Sequence, residues 1–192
     1  MAEDTNRLAS RAVSRCYGAL FFLVFGAAWL VLAFYAFGWL SIMAGALIAG
    51  FVALYAFVAL RTRGRGNEAG KDAFPVDDQR RNDRAFGWVN AVTWVCVFLV
   101  FQILPRVGHP DLAIPAVAII VGLHFFPMPP LYRHRANLVT GALIVLWTIV
   151  CIFAARGDTR IGFVAGGTGM ILWMSAAWAL RTAETLLKSA GL

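Results

Sequence analysis

Stretches with no Asp, Glu, Lys or Arg recur six times along the chain, each about twenty residues long and set off by polar connections. They cover residues 17–37, 39–60, 86–104, 112–131, 137–155 and 161–180. At about 1.5 Å rise per residue, each can cross a hydrocarbon core of about 30 Å as a helix. Backbone in lipid must satisfy its own N–H and C=O groups, and the polarity of these stretches does not alternate, so the pattern predicts helices rather than barrel strands. Gly38 alone separates the first two stretches, and residues 156–160 separate the last two, which makes sequential helices antiparallel neighbours. The expected fold is an all-α integral membrane protein of six transmembrane helices in three sequential hairpins, forming one domain over residues 1–192. The longest connection, 61–85, holds seven basic and five acidic residues with Gly64, Gly66, Gly70 and Pro75, and reads as a solvated loop.

Charge gives these helices a direction. Three Lys or Arg precede the first stretch, seven lie between the second and third, two follow the fourth and two follow the sixth, fourteen in all. The intervening connections hold none, one and two, so the positive-inside rule predicts that both termini are cytoplasmic. Ala-Leu-Arg-Thr closes both the second helix (59–62) and the sixth (179–182), as a hairpin repeat would. A hydrophobic content of 60% and a mean hydropathy of +0.72 leave room for little beyond the spans. The net charge of +7 is therefore a topology signal and not a nucleic-acid surface. The first stretch is longer than a signal-peptide core and is expected to remain as an anchor. Cys16, Cys96 and Cys151 fall at different depths, so no disulfide framework is implied. Fifteen Arg against two Lys suggest a GC-rich bacterial genome. In length and outline the three hairpins resemble the acid-resistance six-pass proteins of the bacterial inner membrane, which implies placement in an inner (plasma) membrane.

Helix seams in lipid form over small residues. Gly45, Ala49 and Ala53 of the second stretch, Ala118 and Gly122 of the fourth, and Gly162, Ala165, Gly166 and Gly169 of the sixth are such seams. Tyr17, Tyr35, Trp39, Trp88 and Tyr132 fall where interface anchors belong, whereas Trp29, Trp94, Trp147 and Trp173 lie mid-span, in packing or in a pocket. Arg61, Arg63, Arg65, Arg133 and Arg135 are placed to meet lipid headgroups. Residues 66–71 fall short of a phosphate-binding loop, because Arg65 stands at the first Gly position and Asp72 at the hydroxyl position.

The candidate site is the proline-rich end of the fourth stretch, His124, Phe125, Phe126 and Pro127, followed by Pro129 and Pro130. Pro127 removes an N–H and frees the carbonyl of Leu123, so the helix should kink or break there. His124 is the only His in any stretch, and either serves a ligand or donates to a freed carbonyl. Asn90 and Thr93 of the third helix, and Asn137, Thr140 and Thr148 of the fifth, would complete a polar cavity with it. Their alternative is hydroxyls bonded back to their own helices. No His, Cys or carboxylate neighbour makes a metal site, no acid is spaced to orient His124 as a catalytic base, and no cofactor is indicated.

Three functions follow. The first is non-enzymatic binding or translocation of a small-molecule solute around the broken fourth helix. The second is a structural or accessory role, with a homo-oligomer or membrane-protein partner held through the seams and the basic face. The third is a membrane enzyme using His124. The bilayer itself is the partner common to all three, and nucleic acid is excluded.

Overall fold

The computed structural model describes residues 2–39, 42–69, 76–127 and 136–192. All their regular structure is helical: α1 (Ala2–Ala36), α2 (Ile42–Ala69), α3 (Val76–Arg106), a 3-10 turn (Pro110–Leu112), α4 (Ala113–His124), α5 (Ala136–Ala154) and α6 (Gly157–Ser189). Among the described residues, five helices are long and apolar enough to cross a membrane, the build of a membrane-embedded protein. The fourth apolar stretch departs from the expected single span over 112–131, because its helix stops at His124. Twelve residues rise only about 18 Å, well short of a full crossing. The cause is Pro127, which cannot donate to the carbonyl of Leu123 four residues back, so the chain tightens into a turn instead. The N–H of Phe126 bonds to Leu123 O at 3.0 Å and that of Phe125 to Gly122 O at 3.2 Å.

Elsewhere the helices overrun the apolar stretches. The connection read as a loop over 61–85 is helical at both ends, since α2 continues to Ala69 and α3 begins at Val76. Residues 70–75 of it lie outside the described residues. Two of the helix-ending turns need a left-handed residue. Gly38 (φ +68°) ends α1 with Trp39 N–H bonded to Phe34 O, and Gly108 (φ +83°) ends α3 with His109 N–H bonded to Leu104 O. These 6→1 bonds satisfy carbonyls at the helix ends, and glycine adopts the required φ without a steric cost.

The core is an antiparallel pair of the first and last helices. On α1, Ala9, Ala12, Cys16, Ala19, Leu23, Gly26, Leu30 and Ala33 recur every three or four residues and are all buried. Opposite them, α6 buries Val164, Ala165, Thr168, Gly169, Leu172, Ala176, Leu180, Ala183 and Leu187. Their backbones meet where Gly26 faces Gly169: a Cβ on Gly169 would stand 2.9 Å from Gly26 O and 2.7 Å from Leu30. Close approach over small residues is what gives lipid-embedded helices their dispersion energy. α2 flanks this pair, α5 packs on α6, α4 packs on α5 and α6, and α3 holds chiefly to α4 at the edge.

The expected seams divide accordingly. Gly162 accommodates the Phe37 ring and Gly166 touches Ala33, while Gly122 meets Gly141 on α5. The α2 seam is a correction: Gly45 has nothing within 4 Å, and Ala49 and Ala53 are exposed. α2 instead meets α1 through Ala59, Thr62 and Gly66, which are all buried. The mid-span tryptophans mostly pack. Trp29 is buried, and Trp147 lies against Gly167 and donates to Phe163 O at 2.8 Å. Trp173 stacks on Phe51 (4.1 Å between centroids) and donates to Leu23 O at 3.1 Å, while Trp94 faces outward. Trp173→Phe removes the indole donor together with part of the ring packed on Phe51 and Gly26, so thermal unfolding in detergent should show a loss larger than the roughly 0.6 kcal/mol of a membrane hydrogen bond alone.

Candidate functional site

The end of α4 is held by a hydrogen bond from a neighbouring helix. His124 Nδ1 lies 2.8 Å from Thr93 Oγ1 of α3, and the Thr93 hydroxyl reaches its own Val89 O at 2.9 Å. With the single Thr93 hydrogen given to Val89 O, which can only accept, the matching tautomer of His124 donates its Nδ1–H to Thr93 Oγ1. The neutral ring in this tautomer carries its free lone pair on Nε2. In this arrangement the Nδ1–H of His124 goes to Thr93 and not to the carbonyl freed by Pro127, which Phe126 N–H reaches instead.

One aromatic ring abuts the imidazole. Phe125 meets it edge to face (5.8 Å, 78°), is itself buried, and meets Phe22 of α1 in the same way (5.5 Å, 67°). Phe126 and Pro127 point outward, and Phe126 also reaches Gly141. Asn90, one turn before Thr93, is half-buried on the same side of α3. Residues 128–135, with Pro129, Pro130, Tyr132, Arg133, His134 and Arg135, lie outside the described residues.

The hydroxyls of α5 form a separate group. Thr140 Oγ1 is 2.8 Å from Ser175 Oγ of α6, and both also reach carbonyls of their own helices, Ala136 and Ile171. Thr148 is fully buried and bonds back to Ile144 O. Asn137 is half-buried at the start of α5. The structure thus joins Thr93 to His124, and turns Thr140 toward α6. Ser175 was not singled out from the sequence, although it shares with Thr168 a seven-residue spacing that places both on one helical face. Thr168 Oγ1 is buried without a hydrogen-bond partner.

A charged pair at the opposite end of α4 was also missed. Arg160, at the start of α6, donates through Nη1 to Asp111 Oδ2 at 2.8 Å and through Nε to Ala155 O at 2.8 Å. Its side chain is 10% exposed and that of Asp111 39%. The available signal was opposite charges flanking two spans on one side of the predicted topology. Among the described residues no group of three or more His, Cys, Asp or Glu could hold a metal ion. Of the basic residues assigned to headgroups, Arg61 and Arg65 are exposed and Arg63 is half-buried.

No significant match appears among curated proteins or among solved structures. Residues 84–182 match a family of unknown function, DUF7010. That stretch contains Thr93, Asp111, His124, Thr140, Arg160 and Ser175, and begins beyond α1 and α2. With more than half its length matched, from α3 through most of α6, the chain belongs to the DUF7010 family.

Proposed function

We propose that the protein is a non-enzymatic, multi-pass protein of the bacterial inner membrane, with both termini cytoplasmic, that binds or passes a small solute at the broken end of α4. The observation that carries this reading is the Thr93–His124 bond, which holds an imidazole at a helix break with Nε2 free to accept a hydrogen bond. Broken helices supply ligand groups in many transporters. A neutral acceptor beside an aromatic ring selects solutes that carry N–H or O–H donors. No acidic side chain falls within the apolar stretches, so passage would be facilitated and not coupled to protons or sodium. His124 is oriented by a hydroxyl and not a carboxylate, which disfavours an enzymatic role.

Flux into proteoliposomes tests this with methylammonium, urea, glycerol and acetate. Wild type should pass at least one of the three donors, His124→Ala should slow that flux by about tenfold, and Thr93→Val by less, through loss of ring orientation. Acetate, which only accepts, should not respond. Equal fluxes in wild type and His124→Ala for every solute would remove His124 from the function. The uncovered small residues Gly45, Ala49 and Ala53 of α2 favour a second reading, an accessory protein whose partner packs there. Crosslinking from a cysteine placed at position 49 would reveal such a partner in native membranes.

A further inference from the structure

We propose that Arg63, seated on Tyr17 between α1 and α2, is a defined binding site for the phosphate of an anionic lipid. The site follows from how the two helices meet. Ala59, Thr62 and Gly66 form the α2 face buried on α1, and a Cβ on Gly66 would stand 2.7 Å from Val13 and 3.3 Å from Ala9 O. This close contact sets Arg63 at the border of the seam. Its guanidinium carbon lies 4.5 Å from the centroid of the Tyr17 ring. The ring orients the planar group by its face, and the Nη edge remains available for a two-pronged bond to a phosphate. Nε is sealed in the seam without a partner, and Arg63 forms no ion pair with any described residue.

Electrostatics and depth support a lipid as the ligand. Arg63 and Glu184 of α6 both act on Cys16, yet no ion pair joins them, and the Arg63 guanidinium rests on the Tyr17 ring instead. The apolar stretch of α1 starts at Tyr17 and that of α2 ends at Leu60, so Arg63 stands at the edge of the apolar band, where headgroup phosphates lie. From Tyr17 an exposed row of side chains, Phe21, Val24, Val31 and Tyr35, continues along α1 in steps of three, four or seven residues. An acyl chain can follow that row while its phosphate rests on Arg63, which an inorganic ion cannot do. Arg61 and Arg65 are exposed, and neither stacks on a ring among the described residues. They contribute a diffuse field, and Arg63 contributes a site.

The experiment is binding of dioctanoyl phosphatidylglycerol to the full chain in neutral detergent, followed by thermophoresis, with dioctanoyl phosphatidylcholine and inorganic phosphate as comparison ligands. Wild type should bind phosphatidylglycerol saturably, and the other two at least about tenfold more weakly. Arg63→Gln should weaken phosphatidylglycerol by about tenfold, Arg63→Lys by less, and Tyr17→Leu by about two- to fivefold. Arg61→Gln should change it less than twofold. Thermal unfolding of each variant establishes that it is folded, and Arg63→Lys keeps the charge should the glutamine variant fail. Equal effects of Arg61→Gln and Arg63→Gln would overturn the site in favour of a diffuse field. Inorganic phosphate binding as tightly as the lipid would overturn the lipid assignment, and equal binding of phosphatidylcholine would overturn selectivity for net negative charge.

Discussion

Gly141→Ala is expected to pry α4 from α5 and to cost about 1–3 kcal/mol, the range for overpacking a close contact. The added methyl would run into Gly122 O and stand 3.0 Å from the Phe125 Cβ. A carbonyl oxygen on a helix backbone cannot rotate aside as a long side chain can, so one helix must move. The displaced helix carries His124, which has to stay within hydrogen-bond reach of Thr93 on its other side. The variant should therefore show both a lower unfolding temperature in detergent and, under the proposed function, a reduced solute flux. Gly45→Ala is the control. Nothing lies within 4 Å of the added methyl, and alanine is the better helix former by up to about 1 kcal/mol, so stability should hold or rise. Equal losses at positions 45 and 141 would show that the α4–α5 crossing is not the tight contact described.

The ion pair at the other end of α4 should respond unequally to loss of its two members. Asp111→Ala leaves Arg160 charged, 10% exposed and without its carboxylate. A buried charge stripped of its partner costs about 3–5 kcal/mol when burial is complete, and the partly exposed position of Asp111, through which water can reach the guanidinium, lowers the expectation to about 2 kcal/mol. Arg160→Met leaves Asp111, 39% exposed, where water can take the place of the guanidinium, and should cost less than about 1 kcal/mol. The double variant should then be more stable than Asp111→Ala alone, because no unpaired charge remains in the seam. Thermal unfolding of the four proteins gives the order, and additive losses would mean that the pair does not couple α6 to the turn before α4.

How far the site could be read beforehand follows from where its causes lie. Pro127 lies four residues after the carbonyl it orphans, a local relation, so the break in the fourth stretch was legible and fell at His124. Thr93 and His124 were legible as separate candidates, but their hydrogen bond spans 31 residues of sequence. Ser175 and Arg160 escaped because their partners, Thr140 and Asp111, lie 35 and 49 residues away. The α1 seam escaped for another reason. Alanine is common in any apolar helix, and only the partner helix shows that Ala9, Ala12, Cys16, Ala19 and Ala33 share one buried face with Gly26.

The sequence by itself determined that the chain is helical and apolar enough to enter a membrane, and where one helix must stop. Those properties depend on runs of residue type and on the missing N–H of a proline, which act over at most a few residues. Tertiary structure alone decided that the first and last helices form the core, that the small-residue stripe of α2 is left uncovered, and that Thr140 of α5 turns toward α6. In lipid every apolar face is equally tolerable, so no hydrophobic pattern selects the partner. Close backbone approach and a few cross-helix hydrogen bonds make that choice, and both require three-dimensional proximity.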